Sequence, residues 1–130
     1  LERAGTTVLD LIRADARDLP KLLPRKVDYV LIANTFHGVP KKTEMARAVA
    51  SALNPEGQFA IINWCTLPRE LTIVLGEPRG PKTEIRMSPD DVRSIVEPAG
   101  FTLEQVVELP PFHYGAIFRL FETKTVGDEL

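Results

Sequence analysis

The chain predicts an α/β fold: a mostly parallel sheet with helices packed on it and an antiparallel strand at its carboxyl end. Three observations lead there. Val27-Asp28-Tyr29-Val30-Leu31-Ile32-Ala33-Asn34 and Phe59-Ala60-Ile61-Ile62-Asn63-Trp64 are nearly continuous apolar runs, the pattern of strands buried on both faces of a parallel sheet. Segments with helical spacing alternate with them. Residues 101–123 then hold two strand-like runs separated by Pro110-Pro111, which reads as a terminal hairpin.

The elements follow in order. Glu2-Arg3-Ala4-Gly5 reads as the end of a helix stopped by Gly5, as expected of a chain cut from something longer. Val8–Ala14 is rich in branched residues, ends on Asp15 and reads as a strand, and Leu19-Pro20 and Pro24-Arg25-Lys26 read as loop. After the strand Val27–Asn34, Gly38 and Pro40 break the pattern. Lys41–Leu53 is then helical, with Met45, Ala46, Val49, Ala50 and Leu53 on one face. Asn54-Pro55-Glu56-Gly57 is a turn into the strand Phe59–Trp64. Residues 66–87 carry Pro68, Gly76, Pro78, Gly80 and Pro81, too many breakers for regular structure, so a long connection is expected. Ser88 caps the next helix, with Pro89 at its first position and Asp91 at the capping-box position. Val92, Ile95, Val96 and Ala99 form its apolar face, and Gly100 stops it. Phe101–Leu109 and Tyr114–Thr123 are the last two strands.

Composition narrows the function. The 130 residues are 44% hydrophobic and 26% charged, which suits a single packed domain spanning 1–130. A net charge of −2 gives no reason to expect nonspecific nucleic-acid binding. A single cysteine, Cys65, rules out an intrachain disulfide and any zinc site built on cysteine spacing, and fits a reducing cytoplasm. The apolar runs are too short to cross a bilayer as helices, and no signal peptide is visible.

Four short motifs then appear in one order. They are Asp15-Ala16 with Leu19-Pro20, the strand Val27–Asn34 with Phe36-His37, Leu53-Asn54-Pro55-Glu56-Gly57, and Ala99-Gly100-Phe101. Together, over residues 8–122, they resemble the class I S-adenosylmethionine-dependent methyltransferases of type 11/12, from the third strand of that Rossmann-like fold onward. Glu56 stands where the family's turn has a glycine. The resemblance implies that the parent protein uses S-adenosyl-L-methionine to methylate a small-molecule acceptor. It implies that Asp15 and the Ala16 amide face the adenine, and that Asn34 and Thr35 lie by the methionine moiety.

Ligands in parallel α/β sheets bind at the carboxyl ends of the strands. That rim collects Asp15, Asn34 to His37, Trp64-Cys65 and Pro110 to Tyr114. His37 and His113 are candidate bases for an acceptor proton, since histidine titrates in the useful range. A sulfonium electrophile is already activated, so in-line positioning matters more than a base. Trp64 and Tyr114 are candidate substrate-lining residues, and Arg79, beside Gly80-Pro81, is a candidate for an acceptor carboxylate or phosphate. Packing or solvated-loop roles compete with each assignment. No metal cluster is evident.

The glycines stand at 5, 38, 57, 76, 80, 100, 115 and 127, so no Gly-x-Gly occurs and the family's cofactor loop is missing. The resemblance also implies the sheet order 3-2-1-4-5-7-6, so the missing first two strands would separate Val8–Ala14 from Val27–Asn34. An apolar strand edge left bare invites pairing. Three partners are expected for it: a second copy of the chain, Val8–Ala14 itself, or the missing amino-terminal half. A fragment alone would be inactive. The competing functional class is a non-catalytic methyltransferase-like assembly module. A dehydrogenase of related fold fits the terminal hairpin and the Ala-Gly-Phe placement less well.

Overall fold

The structure is a computed structural model that describes residues 11–121 together with the backbone of residues 2–3 and 6–7. Two short strands, β1 (Glu2–Arg3) and β2 (Thr6–Thr7), pair antiparallel, so Glu2 and Arg3 of the expected helix end are extended, while Ala4 and Gly5 lie outside the described residues. A 3₁₀ turn, Ala16–Asp18, leads into one helical turn, α1 (Leu19–Leu22), with Pro20 in its first turn. Leu19-Pro20 is therefore helical rather than loop, because proline is tolerated where the amide has no intrahelical partner.

The main sheet has four strands: β3 (Val27–Ala33), β4 (Leu53–Trp64), β7 (Phe101–Leu109) and β8 (His113–Leu120), in the order β3-β4-β8-β7. β3 runs parallel to β4, and β8 runs antiparallel to both β4 and β7. Three strands thus point one way and the last strand points back, as the sequence predicts. The helices α2 (Lys42–Ala52) and α3 (Pro89–Val96) supply the second layer. Between β4 and α3 lies the small antiparallel pair β5 (Ile73–Val74) and β6 (Glu77–Pro78).

Register decides which side chains are buried. Phe59 faces Phe118, Ile61 faces Ala116 and Asn63 faces Tyr114. All six are buried on the helix-covered face. Met45, Ala46 and Val49 of α2 and Val92 and Val96 of α3 close over them. Phe101 packs its ring 5.5 Å from that of Phe59, and the Thr43 hydroxyl donates to the Ile95 carbonyl to tie the helices together. Ser88 and Asp91 form the expected capping box, and Gly100 ends the helical stretch at φ 106°, a region that favours glycine.

Three expectations change. Asn54-Pro55-Glu56-Gly57 does not end the helix as a free turn; it lies within β4 as a wide bulge, where the register jumps from Val27↔Leu53 to Tyr29↔Gln58. Glu56 takes φ 64° there, and a Cβ on Gly57 would stand 2.9 Å from the Asn54 carbonyl oxygen. Residues 11–14 of the expected strand Val8–Ala14 form no strand and are exposed, while 8–10 lie outside the described residues. β3 is covered on one face only: Tyr29 and Leu31 are 52% and 54% exposed. Both helices lie on the opposite face, so the apolar run reports burial that these elements do not provide.

The core depends on the β4–β8 pair. Phe118→Ala is expected to lower the unfolding free energy by about 3–5 kcal/mol, read from urea unfolding. A loss under about 1 kcal/mol would contradict the placement of Phe118.

Candidate functional site

The carboxyl ends of β3 and β4 and the start of β8 form one rim, overhung by residues 66–87. Asn34 ends β3 at φ 59°, with its amide donating to the Ile62 carbonyl at 2.8 Å. That left-handed residue turns the chain out of the sheet. Thr35 then precedes the 3₁₀ turn Phe36–Gly38, in which Phe36 is fully buried and anchors His37 at the rim. Trp64 ends β4 opposite His113, and the two rings lie 4.3 Å apart. Phe112 stacks on the indole at 6.3 Å. The fold therefore brings Asn34, Thr35, His37, Trp64, His113 and Tyr114 to one end of the sheet.

Tyr114 is a structural member of this group. Its hydroxyl donates to the Met87 carbonyl at 2.6 Å and accepts from the Asn63 amide at 3.3 Å. Burial raises its pKa, so it stays a neutral phenol. Asn63 is 2% exposed, and its Oδ1 has no partner.

Asp15 and Ala16 open the 3₁₀ turn that packs against α2. The Asp15 carboxylate accepts from the Arg17 amide and chelates the Arg17 guanidinium, with the closest contact at 2.8 Å. This holds its pKa down at about 2. It caps the 3₁₀ turn Ala16–Asp18, so both oxygens already have a local role.

Arg79 is not the buried cation of the long connection. It is exposed, pairs with Glu77 at 3.2 Å, and donates to the Val74 carbonyl across the β5–β6 turn. Arg86 is the buried one, at 7% exposure. Its Nε donates to the Pro81 carbonyl, and its Nη2 donates to the Thr72 hydroxyl and the Arg79 carbonyl. Its guanidinium lies 5.3 Å from the centre of the Trp64 ring. Gly80, at φ 95°, lies against both groups: a Cβ there would stand 2.8 Å from the indole and 2.9 Å from Arg86 Nη2. The connection is thus an ordered cover folded around Arg86. Its breakers conceal this from sequence reading, and seven cations and anions in one loop look alike until one is buried.

His37 and His113 both titrate below the ordinary histidine value. Desolvation is the main cause for each, reinforced by Lys42 and Arg86 at His37 and by Arg86 at His113. Both are neutral at pH 7, the form that could accept a proton. Among the described residues no group of acidic, histidine or cysteine side chains could hold a metal, and no helix is long and apolar enough to cross a membrane.

The four-strand order with its reversed last strand can be set beside known proteins. No family model and no curated protein matches the sequence. Solved structures do match. A SAM-dependent methyltransferase from Aquifex aeolicus superposes with a TM-score of 0.68 at 23% identity, over 85% of this chain and 54% of its own. A Sulfolobus solfataricus protein assigned as a type 11 methyltransferase gives 0.65 at 27% identity, over 82% and 57%. Human N-acetylserotonin methyltransferase, solved in complex with SAM, gives 0.61 at 17% identity, over 87% and 34%. The chain has part of the SAM-dependent methyltransferase fold. It spans about half the length of the first two of these structures. In that fold the rim described above lies at the ligand-binding end of the sheet.

The histidines make stability depend on pH. As pH falls below about 6.5, the unfolded chain takes up protons before the folded one, so stability is lost toward acid and recovered above that value. The urea midpoint should fall between about pH 8 and pH 5, and less so in a His37→Gln, His113→Gln double variant. Equal slopes for the two proteins would count against the desolvation of both imidazoles.

Proposed function

We propose that the protein to which these residues belong is an S-adenosylmethionine-dependent methyltransferase acting on a small-molecule acceptor at the rim of His37, Trp64 and His113. The observation that carries this reading is the sheet itself: order β3-β4-β8-β7, with a parallel β3–β4 pair and a reversed β8. The four motifs occur in that same order, and the solved structures of this fold use SAM by their own descriptions.

The residues of this chain do not complete a cofactor site. By the family resemblance, Asn34 and Thr35 would lie by the methionine moiety and Asp15 and Ala16 by the adenine. The Asp15 carboxylate is already chelated by Arg17, and no Gly-x-Gly occurs in the sequence. No step is therefore derived through the cofactor. What this chain offers is the acceptor side: a floor of Trp64, and His37 or His113 as neutral imidazoles for an acceptor proton. The cytoplasm is the proposed compartment, on the strength of the lone, unpaired Cys65.

Calorimetry tests the incompleteness. The 130-residue chain is expected to give no measurable heat with S-adenosylmethionine, and a Kd on the order of 1 μM would overturn that expectation. A coding sequence preceding Leu1 that lacks an acidic residue followed by Gly-x-Gly would overturn the enzyme reading.

A second reading, a non-catalytic assembly module, is favoured by the outer edge of β3, which has no partner among the described residues. Beside it Tyr29, Leu31, Ile62, Leu109 and Ile117 line a shallow apolar depression of about 230 Å³ on the sheet face opposite the helices. A bare apolar edge of this kind pairs with another strand. Two copies joined edge to edge would build one continuous sheet. Sedimentation should find a dimer for the unaltered chain and a monomer for Leu31→Lys. Monomers in both cases would remove the homodimer and leave a complementary methyltransferase half as the occupant.

A further inference from the structure

Three buried polar atoms among the described residues have no hydrogen-bond partner: Asn63 Oδ1, Arg86 Nη1 and His113 Nε2. All belong to residues at one end of the sheet. Asn63 is next to Trp64, His113 packs on Trp64, and Arg86 lies over Trp64. Buried polar groups are normally paired, so a cluster of exceptions needs a cause.

Arg86 is the most demanding of the three. Three of its donor contacts hold the loop: Nε on Pro81, and Nη2 on Thr72 and Arg79. These acceptors are carbonyls and a hydroxyl, so they satisfy donors without neutralising charge. Arg86 takes part in none of the ion pairs among the described residues. Cys65 and, more weakly, Glu70 favour its charged form without an ion-pair contact, and Arg69 opposes them. Burial lowers its pKa, yet arginine does not give up its proton in a protein. A cation is therefore held beneath the surface with one amino group unused and no ion-pair partner among the described residues. Such a group is costly unless an anion joins it.

A route to Arg86 exists. It lines a cleft of about 350 Å³ with His37, Lys42, Met87, Asp91 and Ser94. Of the charged groups there, Lys42 adds to the positive potential, while Glu84 and Asp91 oppose it. Asp91 is committed to capping α3 through the Ser88 amide.

We propose that Arg86 Nη1, with the Trp64 indole beside its guanidinium, binds the oxyanion of an acidic methyl acceptor, either a carboxylate or a phosphate group. Only one amino group of the guanidinium is free, so the site recognises charge with a single contact rather than with the two-pronged fork arginine often uses. The description of the anion as part of a methyl acceptor rests on the methyltransferase reading. The anion site itself does not.

Trp64 is the sole tryptophan, so its fluorescence reports from beside the Arg86 guanidinium. The 130-residue chain is titrated with benzoate, with neutral benzamide and with inorganic phosphate. Benzoate is expected to give a saturable change with Kd on the order of 1 mM, at least about tenfold tighter than benzamide. Arg86→Gln should weaken benzoate about tenfold or more while leaving benzamide unchanged. Displacement of benzoate by phosphate assigns the site to either oxyanion, and failure of phosphate to displace it narrows the acceptor to a carboxylate. Equal binding of benzoate and benzamide, or no saturable change with either benzoate or phosphate, overturns the proposal. So does a folded Arg86→Gln that binds benzoate as tightly as before. If Arg86→Gln does not fold, the comparison of benzoate with benzamide on the unaltered chain decides alone. S-adenosylmethionine is absent from these titrations, so a failure of the enzyme reading and a failure of the anion site appear in different experiments.

Discussion

The pairing of β4 with both of its neighbours is the constraint on which the molecule depends. β4 is the strand through which the parallel half of the sheet meets the antiparallel hairpin. Its alternation sends Phe59, Ile61 and Asn63 under the helices and carries Trp64 to the rim. A shift of one residue would exchange the two sets, placing polar Gln58 and half-exposed Trp64 against α2 and α3. The bulge at Asn54–Gly57 sits at the opposite end of the strand and takes up the extra residues there. The rim end is left in regular register, where geometry matters for a ligand.

One consequence of that register is a division of labour between the two faces. The helix-covered face is a conventional apolar core with three fully buried phenylalanines, Phe36, Phe59 and Phe118. The other face is apolar and bare, and the outer edge of β3 has no partner among the described residues. Parallel sheets are ordinarily covered on both faces. The chain spans about half the length of the first two methyltransferase structures it matches, and in its described part it has a complete core on one side of the sheet only. The rim of Asn34, His37, Trp64 and His113 is formed by its own strands and the turn after β3.

The long connection shows how a segment full of prolines and glycines can still be rigidly built. Arg86 and Arg69 donate to the backbone carbonyls of Gly80, Pro81, Pro78 and Arg79, satisfying groups that strands or helices would otherwise satisfy. Gly80 allows the backbone to press against Trp64 and Arg86 where any side chain would collide. The cover is a scaffold of side-chain-to-backbone bonds centred on one buried cation.

Much of the fold was legible in the sequence because it depends on local rules. Apolar runs marked β3 and β4, helical spacing marked α2, the Ser88–Asp91 box and Gly100 bounded α3, and the proline pair marked the β7–β8 hairpin. The residues of the rim were legible too, since strand ends follow from strand positions. What the sequence could not determine is which partner each side chain meets. Asp15 turns to Arg17, Arg79 to Glu77 and Arg86 to the loop carbonyls, choices made among near-equal charges by chain geometry alone. The exposure of Tyr29 and Leu31 was equally hidden: an apolar run records that a strand expects cover, and only the tertiary structure decides whether the described chain supplies it.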